Sequence, residues 1–415
     1  MVKCCWRSWL IGACIVAGLD LSGQEINVVA RDPHGLLAQT QGKRVLFVAG
    51  APEEMGAAHG RLLAKIIPKV TPQTMSLVAA GYCFAKGEWF YDRLDEIITR
   101  ARPHTPERFL AECLAMGRAA GITDRDALCA NFFPELFHCS GVAVRGRASA
   151  DGEIVHARVL DYMSDVNLQK YTVLQVFLPT GRHAWLSVGY AGFLGTVTAM
   201  NEHGLAMGEM GGGGEGDWDG MPMTFLMRDI MERAKTVREA VAILKETPRT
   251  CEYYYVLSDR GRDLVGIYAT PTVLEVLEAG QQHPRLPAVP ADTVMISGAG
   301  RAKVLSERLH EKLGTITPEV MMDIIKRPVA MKSNLHNAVF KPATLEVWFA
   351  DAGRNKPACD MPYAHVNLAT LLEFYRQNIA PSPPPTPAGI GNRDGVKKPV
   401  PAPPPPPVPA PAPAR

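Results

Sequence analysis

The 415 residues carry a net charge of +2, with 47% hydrophobic and 21% charged residues, which is enough for one large or two ordinary domains and argues against global disorder. No Lys/Arg cluster is interleaved with aromatics, so a nucleic-acid partner is not expected. The nine cysteines form no Cys-x-x-Cys pair and no regular spacing. Neither a zinc ribbon nor a disulfide framework is therefore expected, and no metal site or cofactor is read from the sequence.

Lys3 and Arg7 precede an apolar stretch, Trp9 to Leu19, which is followed by Ser22-Gly23-Gln24. The pattern predicts a signal peptide over residues 1–23, too short to span a bilayer, and hence an exported (periplasmic, envelope or secreted) chain. Arg44 to Ala49 reads as a strand. Pro52 suits a first helical turn, Glu53 and Glu54 suit its positive end, and Met55, Leu62, Leu63, Ile66 and Ile67 fall on one face. Helical patterns follow over Thr74–Ala80, Trp89–Ala101, Pro106–Ala120 and Arg125–Asn131, so residues 24–138 are predicted to be largely helical. Cys83, Cys113 and Cys129 lie in apolar helical stretches and are expected to be buried small hydrophobes.

From Cys139 the period shifts towards alternation, with strands predicted at 141–146, 153–159, 171–178, 183–189, 194–200 and 204–209. Helices follow over Pro222–Ala234 and Val237–Thr247, the second with Thr236 as N-cap. Strands return at 252–258, 263–269 and 273–278, then a Pro-rich loop from Gln281 to Ala291, and helices over Ala299–Leu313 and Pro318–Arg327. A last hairpin pattern covers 335–340 and 344–350. Strands, then helices, then strands again predict an α+β fold of stacked layers with antiparallel sheets. Fifteen of the 34 prolines lie between Pro381 and Pro413, so residues 381–415 form a tail too poor in apolar side chains to fold. Such a tail is either an extended spacer that contacts the cell envelope or a segment with no binding role.

One stretch concentrates chemistry. Cys139-Ser-Gly-Val-Ala-Val144 and Ile154-Val-His-Ala-Arg-Val-Leu-Asp161 have strand-like composition, and Arg145 to Gly152 reads as their hairpin connection. Antiparallel pairing returns the end of the second strand, with Arg158 and Asp161, beside Cys139 at the start of the first. Read without these neighbours, Cys139 is a buried structural cysteine, and Arg158 with Asp161 is a surface ion pair.

Together these residues resemble the N-terminal-nucleophile (Ntn) hydrolases of the penicillin acyltransferase-like C45 peptidase family, which is related to the choloylglycine hydrolases. Those enzymes place Cys at a strand start, then a hairpin, then Gly-Arg-Asn-Leu-Asp-Trp. Here Ala157-Arg158-Val159-Leu160-Asp161-Tyr162 keeps Arg and Asp at the same spacing and departs at Ala157 and Val159. Met200-Asn201-Glu202-His203-Gly204-Leu205 resembles the family's Asn-Glu-x-Gly-Leu hairpin. Gly50-Ala-Pro-Glu-Glu-Met-Gly56 with Gly60, and Asn334-Leu-His-Asn-Ala-Val-Phe-Lys-Pro342, extend the likeness over roughly residues 45 to 370.

The resemblance implies a four-layer αββα sandwich preceded by a helical pro-segment, cut between His138 and Cys139, with both fragments remaining associated. The catalytic part would then cover residues 139–380. The new α-amine of Cys139, with a reference pKa of roughly 7.7–8.0, would serve as base for its own thiol. Asp161 would orient the α-ammonium. Arg158 would hold the thiolate or a substrate carboxylate. For the oxyanion hole, relatives use a backbone N–H that would fall near Gly211 and an Asn side chain whose place is taken by Ser297, ahead of Arg301, or by Asn334. Asn201 is most simply a hairpin-turn residue. A papain-like pairing of Cys139 with His336-Asn337 is rejected, because papain-type enzymes set the cysteine at a helix start. The implied activity is cleavage, or acyl transfer, at a small-molecule N-acyl amide. The alternative is an uncleaved, inactive Ntn fold that binds an envelope ligand.

Overall fold

A computed structural model describes residues 25–132, 138–162, 167–212 and 216–379; the expected signal peptide and Pro-rich tail lie outside them. The chain opens with three strands, β1 (Asn27–Asp32), β2 (Gly35–Thr40) and β3 (Lys43–Gly50). Five helices follow: α1 (Pro52–Leu62), α2 (Met75–Lys86), α3 (Phe90–Ala101), α4 (Glu107–Ala120) and α5 (Asp124–Asn131). Then come β4 (His138–Val144), β5 (Val155–Asp161), β6 (Thr172–Pro179), β7 (Trp185–Tyr190), β8 (Thr198–Asn201) and β9 (Ala206–Gly211). Two helices, α6 (Met223–Arg233) and α7 (Val237–Glu246), precede β10 (Tyr253–Ser258), β11 (Leu264–Ala269), β12 (Leu274–Glu278) and β13 (Thr293–Ser297). The last elements are α8 (Ala299–Glu311), α9 (Pro318–Ile324), β14 (Asn334–Lys341), β15 (Glu346–Asp351), β16 (Ala364–Asn367) and α10 (Leu368–Asn378).

The strands form two sheets. One runs β1-β2-β3-β6-β7-β8-β9-β10-β11-β12 and the other β13-β4-β5-β14-β15-β16. Every pairing is antiparallel except β3 with β6. Apolar side chains fill three interfaces between four layers. Phe109 of α4 and Phe225 of α6 pack with Phe177 and Trp185 on the outer face of the large sheet. Phe47, Leu186, Phe340 and Phe349 meet between the sheets. Val142 and Val159 pack under Leu305 of α8 and Met321 of α9. Helices, sheet, sheet, helices: this is the expected αββα sandwich.

The front of the chain differs from the largely helical expectation for residues 24–138. Residues 27–50 are three strands, and β3 pairs with β6 in register from Val45↔Leu174 to Gly50↔Pro179. β1 carries only a weak hydrophobic signal, because its residues alternate between exposed and half-buried at the sheet edge. The helices after it follow the pattern read from sequence. α1 starts with Pro52 at its first turn, and the Glu54 carboxylate accepts the Ala51 N–H at 2.7 Å. Gly56 and Gly60 let α1 lie against α4, since a Cβ would come within 2.3 Å of the Glu112 carbonyl oxygen and 2.4 Å of that of Met116. Thr236 caps α7 by accepting the Glu239 N–H at 3.3 Å.

Three fully buried histidines give the fold a pH dependence. His59 Nε2 accepts the Gly192 N–H at 3.0 Å, and burial, assisted by Arg228, lowers its pKa to about 3. His156 sits 2.8 Å from Ser258 Oγ, and burial lowers it to about 3. His336 is lowered well below 6.5, first by burial and then by Arg158. Each folded-state pKa lies below the unfolded value, so below about pH 6.5 the unfolded chain binds protons that the folded chain refuses. Stability is fully present above that value and is lost as the pH falls towards the folded pKa. With all three titrating, the loss approaches about 4 kcal/mol per pH unit. Denaturant midpoints at pH 7 and pH 5 are expected to differ strongly, and equal midpoints would contradict this account.

Candidate active site

The site lies at one end of the β4–β5 ladder. Their register pairs Cys139 with Leu160 and His138 with Asp161, so the end of β5 does return beside the start of β4. The side chains do not all meet on one face. Arg158 and Asp161 are three residues apart in a strand whose side chains alternate, so they project to opposite sides. Cys139, Leu160 and Arg158 face the large sheet. Asp161 faces α8 and α9.

On the inner face the Arg158 guanidinium is fully buried and donates to Cys139 Sγ at 3.5 Å. It also donates through Nε to the Glu209 carbonyl at 3.1 Å, and Nη2 lies 3.5 Å from the Glu209 carboxylate. Nη1 reaches His336 Nε2 at 3.5 Å. The His336 imidazole is held by Tyr190 Oη at 3.0 Å on Nδ1 and Thr198 Oγ1 at 2.9 Å on Nε2. Arg158 stands between thiol and imidazole, which agrees with rejecting a papain-like pair. Gly208 makes room for this arrangement, because a Cβ there would sit 2.5 Å from Arg158 Cγ. Burial pushes the Cys139 thiol up to about 12; Arg158 opposes this, while the carboxylates of Glu209 and Asp161 reinforce it. In the uncut chain the sulfur is thus a neutral thiol at pH 7.

On the outer face Asp161 accepts from Arg301 Nη1 at 2.5 Å and from the Met331 N–H at 2.9 Å. Burial is the largest influence on its carboxyl and raises its pKa; the Met331 N–H, Arg301 and Arg158 all act against that rise. Arg301 Nη2 also donates to the Cys139 carbonyl at 3.2 Å. One guanidinium on α8 thereby ties the carboxylate to the backbone of Cys139. Arg158 and Asp161 are therefore not a surface ion pair: each is buried, and each has a different partner. Arg158 is also sealed from solvent and does not border the cavity, so it has no access to a substrate carboxylate.

A cavity of about 570 Å³ opens beside Cys139, bordered by Met210, Gly211, Ile296, Ser297 and Arg301. Its walls continue over Tyr254, Tyr268, Leu277, Leu286 and Arg285 from β10–β12 and the following loop. That size and mixture of apolar, aromatic and cationic groups suit a small molecule. Gly211 and Ser297 border the cavity, and Ser297 Oγ lies 2.7 Å from Ser140 Oγ. Asn334 does not border it. Its amide donates to the Leu160 carbonyl at 3.0 Å and to Asn337 Oδ1 at 2.9 Å, while its oxygen accepts the Cys359 N–H at 2.8 Å. With both N–H groups engaged and no exposure, Asn334 braces the end of β5 and offers no oxyanion donor. The backbone of His138 opens β4, and its side chain lies outside the described residues. Asn201 is a turn residue: its oxygen accepts the His203 and Leu205 N–H groups and its amide donates to the carbonyls of Met231 and Ala234.

Sequence reasoning passed over Glu209 and treated Arg301 only as a landmark. Arg301 stands 140 positions from Asp161, and no local pattern joins them.

Comparison with known proteins bears on the same region. Residues 149–281 match the family model described as acyl-coenzyme A:6-aminopenicillanic acid acyl-transferase. Protein dcd1B of Dictyostelium discoideum is 23% identical over 370 residues, covering 81% of this chain and 73% of that protein. The N-acylethanolamine-hydrolyzing acid amidase of Mus musculus is 23% identical over 184 residues, covering 41% of this chain. The chain spans about half the length of that amidase, 49%. Among solved structures, a Caenorhabditis elegans ortholog of that amidase aligns with a TM-score of 0.39 at 17% identity, over 49% of this chain and 93% of its own. A penicillin V acylase from Agrobacterium tumefaciens aligns with a TM-score of 0.38 at 14% identity, over 56% and 86%.

Proposed function

We propose that this chain, which carries a penicillin acyltransferase-like Ntn hydrolase region, is a self-processing N-terminal cysteine hydrolase or acyltransferase of small N-acyl amides. The observation that supports it best is the end of the β4–β5 ladder. Cys139 borders the cavity, Arg158 donates to its sulfur at 3.5 Å, and Asp161 is linked through Arg301 to its backbone.

Cleavage between His138 and Cys139 would convert the Cys139 nitrogen from an amide to an amine with a reference pKa of roughly 7.7–8.0. That amine takes the thiol proton, and the sulfur attacks the amide carbonyl in the cavity. A thioester forms, the amine of the substrate leaves with a proton, and water or a second amine resolves the acyl-enzyme. Asp161, on the ladder pair next to Cys139, stabilises the ammonium. Arg158 favours the thiolate. Gly211 and Ser297, which border the cavity, would donate to the oxyanion. The two fragments would stay associated, because β3 pairs with β6 across the cut and Phe109 of α4 is buried against Phe225 of α6.

The apolar and aromatic walls favour an acyl group with hydrocarbon character. The test is a panel of N-acyl amides of graded chain length, offered to processed protein while amine release and the mass of the Cys139 fragment are followed. Acyl adducts on that fragment are expected with at least one member. Amine release without an adduct on Cys139 would sink the thioester mechanism.

A further inference from the structure

A second cluster of reactive side chains lies at the opposite end of β9 from the cavity, about 17 Å of strand away. We propose that His183, Glu202 and His203 form a binding site for a zinc-like divalent cation. His183 Nδ1 and His203 Nε2 lie 3.0 Å apart, with the rings nearly perpendicular at 81°. Glu202 Oε1 is 3.9 Å from His183 Nδ1, and the three atoms all fall within 4.8 Å of one another. Around a tetrahedral zinc with bonds of about 2.0–2.1 Å, ligand atoms stand roughly 3.3 Å apart. A shift of a few tenths of an ångström brings the first two edges to that figure.

The backbone builds the triad rigidly. His183 precedes β7, and Glu202 and His203 form the turn between β8 and β9, two segments joined by the Glu202 N–H donating to the Ala184 carbonyl at 2.8 Å. The returning Ala184 N–H donates to Glu202 Oε1 at 2.9 Å and orients the carboxylate, an outer-shell contact of the kind that tunes metal ligands. The His203 N–H is fixed by Asn201 Oδ1 at 3.1 Å, so the turn does not have to order on binding. Without metal the two imidazoles share one hydrogen bond. Binding requires only that the donor ring change tautomer, freeing both nitrogen lone pairs. His183 and Glu202 are part-exposed, at 21% and 32%, which leaves solvent room for a fourth, water ligand. Two imidazoles and a carboxylate, with no thiolate, select borderline cations such as Zn²⁺ or Co²⁺ over Ca²⁺ or Mg²⁺. Lys235 and Arg260 stand near His203 and moderate the affinity.

Co²⁺ titrated into the full chain is the test, since its d–d bands report coordination directly. One equivalent is expected to bind with d–d absorption and without thiolate charge transfer, and equally in Cys139→Ala. His203→Gln is expected to weaken binding by more than the roughly 10–100-fold that loss of an outer partner costs, and Glu202→Gln to weaken it less. Both variants change half-exposed side chains, and circular dichroism checks that they fold. Absence of d–d absorption, a thiolate signature, or unchanged binding in His203→Gln would overturn the assignment.

Discussion

Cys139→Ala is expected to leave the chain in one piece and to abolish amide hydrolysis. The substitution removes the sulfur that would attack both the His138 carbonyl and the substrate. It should do so without collapsing the fold: Arg158 loses a contact at 3.5 Å but keeps the Glu209 carbonyl at 3.1 Å and its other partners. Cys139→Ser is expected to process slowly, because a hydroxyl is a poorer nucleophile than a thiolate. Electrophoresis and intact mass follow both variants. A Cys139→Ala chain that still splits after His138 would mean that another group, or another protein, makes the cut.

Asp161→Asn carries the second large effect. Asn keeps the shape and can still accept the Met331 N–H, which now lies at 2.9 Å. It removes the charge that meets Arg301 at 2.5 Å and that would stabilise the Cys139 ammonium. Acylation is expected to slow by roughly two to four powers of ten, the range for lost acid–base assistance. A stability loss of roughly 1.5–3 kcal/mol should accompany it, the size of a hydrogen bond to a charged group. Single-turnover acylation on protein already cleaved separates the two effects. A normal rate with lowered stability would reduce Asp161 to a fastener for Arg301.

The parts of this site that were legible in the sequence are local ones. Strand, hairpin and strand around residues 139–161 follow from alternation and turn composition, and they dictate that Cys139 and Asp161 share a ladder end. The same spacing has a further consequence: an Arg-x-x-Asp in a strand cannot place both side chains on one face. The true partners, Glu209 for Arg158 and Arg301 for Asp161, are 51 and 140 positions away. Only the stacking of layers brings them in. Asn334 is a similar case, since a polar residue near a strand end reads as a donor until its hydrogen bonds are traced. At the front of the chain, β1 lies on a sheet edge with no fully buried residue, and its alternation is too shallow to stand out.

The central claim is that Cys139 becomes an N-terminal nucleophile. Intact mass and N-terminal sequencing of the purified wild-type chain, before and after one turnover with an accepted N-acyl amide, test it most directly. The account predicts two associated fragments, the larger beginning at Cys139 and gaining the mass of the acyl group. A single uncut chain with no adduct would contradict it, and would leave the cavity beside Cys139 as a binding pocket without catalysis.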